Sequence, residues 1–352
     1  MSPGVSSRPA RLRTLAATAI LLGTGLGLTL GEVVLRLWVS WAPPKTGSGY
    51  VRFVRNQSQA GADLAYPVAL FRKASDPAVG WEPIPNAALG NVRINSAGFR
   101  GPEIDAVPPS GTTRIAFLGD SETFAERLDE RETVPGLLER HLNAASRGSY
   151  EVLNFGVVGF NTAQEFAYLK HRVMAFSPSV VVLYYVFNDL EMTTPIYLYT
   201  PTVFRKLYVF WLGLYVHHSL RRVDDGIDKA RTVADRYLAL HASPYFEANE
   251  RRIRDIAAYL DRHHVTFFLL IAPEIYEVAN FTDRYPYAPI HARLRSLGSS
   301  TVRVIDPLPK LAETFSDPAQ LWVTPTDPHK NRLANDVIAS VLAEAITHRP
   351  VR

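Results

Sequence analysis

The sequence predicts an α/β protein, a parallel β-sheet covered on both faces by helices, preceded by one N-terminal transmembrane helix. Three observations carry that prediction. From Arg114 onward, short apolar runs alternate with helical periods, and strand alternating with helix implies right-handed crossovers into a parallel sheet. Residues 180–186 form a continuous β-branched and aromatic run, the mark of a strand buried on both faces. Ahead of these, residues 14–31 are 18 positions without a charge, bracketed by Arg13 and Glu32.

The N-terminal element comes first in the chain. An 18-residue helix rises about 27 Å, close to a hydrocarbon core of about 30 Å. Arg8, Arg11 and Arg13 precede it with no acidic residue nearby, which favours a cytoplasmic N-terminus. Trp38 and Trp41 follow where an aromatic belt would lie, Glu32 and Arg36 have the spacing of a helical ion pair, and Pro43-Pro44 end the helix. A cleaved signal peptide is the competing reading. The small-x-small triplet Ser40-Trp41-Ala42 lies about ten residues past the apolar run and is followed by proline, so an uncleaved anchor is expected. Gly23, Gly27 and Gly31 form overlapping GxxxG spacings, a helix-pairing face that would support self-association. The plainer and favoured account is that glycine is common in membrane helices.

After a Pro-, Gly- and Asn-rich stretch, residues 115–118 read as the first strand, ending in Gly119-Asp120-Ser121. Leu137, Leu138 and Leu142 share one face of a helix over 134–142, residues 152–155 form the second strand, and Thr162 caps a helix reaching 176. The third strand covers 180–186. The alternation then stops for some 55 residues after Asn188-Asp189 and resumes with a helix over 247–262, a strand over 265–271, a last strand over 302–305 and a helix over 331–347. Ligands of such sheets bind at the carboxyl ends of the strands.

Composition excludes several classes. With 20% charged and 47% hydrophobic residues and a mean hydropathy of −0.03, the 352-residue chain is not disordered, collagen-like or a polytopic membrane protein. Its 38 Lys+Arg against 34 Asp+Glu give +4, without a basic stripe interleaved with aromatics, so no nucleic-acid partner is expected. The absence of cysteine removes disulfides, thiolate metal sites and a cysteine nucleophile. The ten histidines include the adjacent pairs His217-His218 and His263-His264 but no HExxH or HxxxH spacing. Adjacent residues point in different directions, so neither a metal nor any other cofactor is expected. Asp224-Asp225, beside Arg221 and Arg222, reads as a solvated face.

The chemistry concentrates at strand ends. A serine directly after a strand, as in Gly119-Asp120-Ser121, sits on a sharp turn with its hydroxyl exposed and backbone N–H groups near a helix start. Asn154-Phe155-Gly156-Val157-Val158-Gly159 ends the second strand, Phe187-Asn188-Asp189 ends the third, and Asp327-Pro328-His329 precedes the final helix. A hydrolytic serine needs a base, a group orienting that base, and donors aimed at the developing oxyanion. Ser121, His329, Asp327, a glycine N–H and the Asn188 amide supply those parts. Singly, a helix cap, a glycine turn or an Asx-turn explains each of these residues; their joint occurrence at successive strand ends favours catalysis.

These blocks, Gly119-Asp120-Ser121 with Thr123, Gly159 in its Asn-Phe-Gly-x-x-Gly run, Asn188-Asp189 and Asp327/His329, come in one order across residues 111–347. With them the chain resembles the SGNH (GDSL-type) hydrolases. Asn95-Ser96-Ala97-Gly98-Phe99-Arg100-Gly101 is similar to the lead-in of membrane-anchored bacterial members. The resemblance implies a three-layer α/β/α flavodoxin-like sandwich with Ser121 as nucleophile and His329 as base, oriented by Asp327. It also implies an oxyanion hole of Ser121 N–H, Gly159 N–H and the Asn188 side chain, supported by Asp120 and Asp189. Three departures stand out: Asp-x-His replaces the common Asp-x-x-His, Phe187 stands where a glycine often precedes the asparagine, and Ala125 stands where a glycine is frequent.

The expected organisation is a cytoplasmic N-terminus (1–13), an anchor (14–42), a loop-rich lead-in (43–110) and a hydrolase-like domain (111–348) with an aromatic-rich insertion over 190–245. Within the insertion, residues 203–216 carry only Arg205 and Lys206 as charges and are too few for a second span. A helix packed on the core is expected there; the competing readings are a lid over the serine and a helix lying on the membrane. The expected activity is that of a serine esterase of the inner membrane, single-pass with its catalytic domain in the periplasm, removing an acyl group, acetyl foremost, from an envelope glycan, a lipid or a small ester. An O-acyltransferase acting on a polysaccharide would use the same residues. A catalytically silent, glycan-binding envelope module is the reading from another class.

Overall fold

The computed structural model describes residues 8–41, 69–145, 148–191, 204, 206–221, 232–281, 285–325 and 327–348. Pro43-Pro44, Asp224-Asp225 and positions 192–203 of the insertion lie outside the described residues. Along the chain the elements are α1 (Arg8–Trp41), the hairpins of β1 (Phe71–Lys73) with β2 (Trp81–Pro83) and β3 (Ala88–Leu89) with β4 (Val92–Arg93), then β5 (Thr112–Gly119), α2 (Ser121–Phe124), α3 (Val134–Ala145) and β6 (Ser149–Gly156). There follow α4 (Thr162–His171), β7 (Val180–Tyr185), α5 (Tyr208–Arg221), α6 (Val233–His241), α7 (Pro244–Arg262) and β8 (Thr266–Ile271). The last are α8 (Ala288–Arg295), β9 (Arg303–Ile305), α9 (Leu308–Thr314), β10 (Trp322–Thr324), β11 (Asp327–Lys330) and α10 (Arg332–Thr347). The chain divides into two compact units, Met1–Pro67 with Ile196–Val223, and Val68–Pro195 with Asp224–Arg352.

In the larger unit, β5 to β9 form one five-stranded parallel sheet in the order β6-β5-β7-β8-β9. The order reverses between β5 and β7, which makes their carboxyl ends the topological switch point of a doubly wound sheet. Strand alternation assigns the faces. Ile115, Phe117, Val180, Val182, Tyr184, Phe268 and Leu270 meet Leu137, Leu138 and Leu142 of α3 and Ile338, Leu342 and Ile346 of α10 in one core. The intervening Ala116, Leu118, Val181, Leu183, Phe267 and Leu269 are equally buried, on the side where α4 and α7 pack. Burying each large aliphatic or aromatic side chain contributes about 1.5–3 kcal/mol, which ties the helices to both faces. The architecture is the expected α/β/α sandwich.

Two strands run a few residues longer than expected, β5 over Thr112–Gly119 and β6 over Ser149–Gly156, and the cap of α4 shifts. Thr162 is the first residue of α4 and its cap is Asn161, whose shorter amide accepts the N–H groups of Ala163 and Gln164 while Gln164 reaches back to the Asn161 N–H. Regular α-helix ends at His171, and a 3₁₀ turn over Val173–Phe176 completes the stretch.

In the smaller unit, α1 is a 34-residue helix long and apolar enough to span a membrane or to serve as a signal sequence. The insertion's aromatic run forms α5, and its described packing partner is α1: Trp211 buries against Leu35 and Val39. A lone apolar helix must cover itself against another apolar surface, and the end of α1 supplies one.

Candidate active site

The site begins with glycines at the ends of β5 and β6. A Cβ on Gly119 would lie 2.1 Å from Thr123 Oγ1, and one on Gly156 would lie 2.4 Å from the Phe124 nitrogen. Only glycine permits α2 to fold back this tightly on both strand ends. Asp120 caps α2, its carboxylate accepting the Glu122 N–H at 2.9 Å. The turn closes at Ala125 with φ of +50°. That left-handed backbone explains why glycine would be favoured there; alanine costs about 1–2 kcal/mol in the same conformation.

This turn presents Ser121 to a residue far away in sequence. His329 Nε2 lies 3.0 Å from Ser121 Oγ, and His329 Nδ1 lies 2.6 Å from Asp327 Oδ1. The same carboxylate oxygen accepts the His329 backbone N–H at 3.1 Å. The Asp-x-His spacing works because β11 is a strand, where residues two apart project to the same side. Arg127 donates Nε–H to the other Asp327 oxygen at 2.5 Å.

A second link spans the same two elements. Lys330 Nζ donates to Glu122 Oε1 at 2.9 Å, and the Lys330 backbone N–H donates to Glu122 Oε2 at 3.3 Å. Glu122 follows the serine and Lys330 follows the histidine, so this pair staples the α2 turn to β11 beside the Ser121–His329 contact. Lys330 is buried, as is Arg100, whose guanidinium donates to the carbonyls of Phe124, Ala125 and Leu128 and holds the loop after α2.

The electrostatics are dominated by carboxylates. Burial alone would lower the His329 pKa, but its hydrogen bond to Asp327 and the negative charges of Glu122, Glu126 and Asp327 push it up to about 10. Burial works to raise Asp327, and is outweighed by the hydrogen bond and charge of His329, which hold the carboxyl well below its ordinary value. Glu122 is likewise held low, with Lys330 overcoming its burial. Asp120 is raised by burial and by the Glu122 charge, and Glu126 is raised by burial.

The remaining expected residues are placed as follows. Asn188, in the turn after β7, donates Nδ2–H to Asp120 Oδ2 at 3.2 Å and is thereby tied to the turn that carries Ser121. Asp189 is buried and accepts the Val186 N–H at 3.1 Å, closing its own turn. Burial and the charge of buried Glu165 hold Asp189 well above the usual carboxylate range. Gly159 follows β6 with φ of +76°, and the Val157 N–H donates to the Gly119 carbonyl at 3.0 Å, joining the two strand ends. Ser121, Glu122, Ala125, Glu126, Arg127, Leu128, Val323, Asp327, His329 and Lys330 line a small open cleft. Sequence reasoning did not single out Glu122, Glu126, Arg127 or Lys330, because charged residues beside a motif look like ordinary surface. The adjacency of Glu122 to Ser121 and of Lys330 to His329 was the available signal.

No protein-family model and no curated protein matches the sequence. Solved structures are similar at low identity. An acetyl xylan esterase is 17% identical, with 66% of this chain and 99% of that chain covered and a TM-score of 0.40. An acetyl-xylooligosaccharide esterase from Geobacillus stearothermophilus is 17% identical over 68% of this chain and 96% of that chain, with a TM-score of 0.42. A GDSL-like lipase from Bacteroides thetaiotaomicron is 14% identical over 67% and 88%, with a TM-score of 0.35. At such scores no residue assignment rests on these likenesses.

Proposed function

We propose that the protein is a membrane-anchored serine ester hydrolase of the SGNH type that removes a small acyl group, acetyl foremost, from an envelope glycan or lipid. The observation that carries this reading is the hydrogen-bonded chain Ser121–His329–Asp327 at the switch point of the sheet. With His329 neutral, its Nδ1–H donates to Asp327 and Nε2 takes the Ser121 hydroxyl proton as Oγ attacks the acyl carbonyl. The oxyanion formed is met by the N–H groups of Ser121 and Gly159 and by the Asn188 amide. His329 then protonates the departing alkoxide, and water, activated by the same imidazole, hydrolyses the acyl-enzyme. The uncharged stretch of α1 would hold this site at the inner membrane, with the basic N-terminus inside and the hydrolase unit in the periplasm.

Intact-mass spectrometry of the full chain in detergent, after exposure to a fluorophosphonate, tests the reading beside a Ser121→Ala control. The expected result is one covalent adduct that the control lacks. An unlabelled but folded protein would overturn the serine mechanism and favour the silent envelope module.

A further inference from the structure

The α5 helix and the C-terminal end of α1 carry a surface that ester chemistry does not use. Helix α5 has 14 residues, about 21 Å, too short to cross a hydrocarbon core of about 30 Å. Its sequence from Tyr208 to Val216 is apolar around the whole circumference, and a helix of that kind belongs in a protein core or in lipid. Yet Val216 is exposed, as are Phe204 and Leu207 just ahead of it.

The start of α5 is held at a defined height on α1. Glu32 Oε2 accepts the Val209 N–H at 2.9 Å, taking up one of the first-turn donors that a helix cannot satisfy internally. Arg36, paired with Glu32 at 2.8 Å, donates to the Lys206 carbonyl at 2.5 Å, and its guanidinium lies 4.7 Å from the centre of the Tyr208 ring. Glu32 is the first charge after the uncharged stretch of α1, so α5 begins where α1 leaves the hydrocarbon. Exposed Trp38 and Trp41, with Tyr208, are the amphipathic aromatics that populate this layer. Residues 204–221 contain Arg205, Lys206 and Arg221 and no acid, a charge bias that suits anionic headgroups.

We propose that α5 is an interfacial helix that, seated on α1, occupies the boundary between headgroups and acyl chains in a bilayer containing anionic phospholipid. The proposal rests on the reading of α1 as a membrane anchor. The experiment therefore separates the two.

The chain contains no cysteine, so single cysteines can be introduced by Leu22→Cys in α1, Leu207→Cys and Val216→Cys at α5, and Val107→Cys on the exposed surface of the hydrolase unit. Each full-length variant is labelled with an environment-sensitive fluorophore and reconstituted in phosphatidylcholine–phosphatidylglycerol vesicles, with and without brominated acyl chains. Blue-shifted emission and loss of intensity to the brominated lipid are expected at positions 22, 207 and 216, and neither at 107. Quenching at 22 with water-like signals at 207 and 216 would overturn the α5 proposal while leaving the anchor intact. Absence of quenching at all positions would overturn both. Disulfide-linked dimers through 207 or 216, without lipid quenching, would assign this face to a second copy of the chain and overturn the proposal.

Discussion

At the scale of single residues, the proposed mechanism makes His329 the group that sets the pH dependence. In that mechanism its imidazole must be neutral to accept the Ser121 proton, and with its pKa pushed up to about 10 the neutral form is the minor one at pH 7. The value of kcat/KM for a small activated ester should therefore rise about tenfold per pH unit from 7 towards 10. Glu126→Gln removes one of the charges that favour the imidazolium and should move this limb to lower pH. A rate that levels off near pH 6.5 would show that the carboxylates do not control the base. Stability should follow the opposite course. The folded-state value lies above the ordinary 6.5, so the stabilisation is complete below that pH and is lost as the pH rises through about 10. Denaturation midpoints of the Ser121→Ala protein across this window measure it without turnover.

At the scale of elements, the Glu122–Lys330 pair joins α2 to β11, two segments that no sheet hydrogen bond connects. Removing one side chain leaves the other charge buried without its ion-pair partner, so Glu122→Gln or Lys330→Met alone should cost about 3–5 kcal/mol in urea denaturation. The double substitution should recover most of that loss, because neither charge is then stranded. Additive losses in the double variant would mean that the two side chains act independently. The five strands of the parallel sheet were readable from short apolar runs, and α3 from its apolar periodicity, whereas β1–β4, β10 and β11 were not. The cap of α4 was misplaced by one residue because Asn161 and Thr162 are both good caps, and only the backbone at Asn161 decides between them.

At the scale of the whole molecule, the proposed anchor and the proposed orientation can be tested together. Alkaline phosphatase fused after residue 60 and expressed in a bacterial host should be active, since the enzyme matures only when exported. An inactive, stably expressed fusion would reverse the assigned orientation. The insertion's place in this scheme was not legible. Its aromatic density at 203–216 fits a core helix and a membrane-surface helix alike, since composition does not say which apolar surface will cover it.

Local chemistry by itself determined the alternation of strand and helix, the apolar N-terminal helix, and the serine, histidine, aspartate and asparagine of the proposed site at or near strand ends, because periodicity, length and turn residues act over a few positions. What only the tertiary structure decided are the contacts across long separations. Ser121 meets His329 across 208 positions, Glu122 binds Lys330 across the same interval, and Glu32 caps α5 from 177 residues away. Such pairings depend on the order in which strands enter the sheet and on where loops return, and neither quantity leaves a periodic signal in the chain.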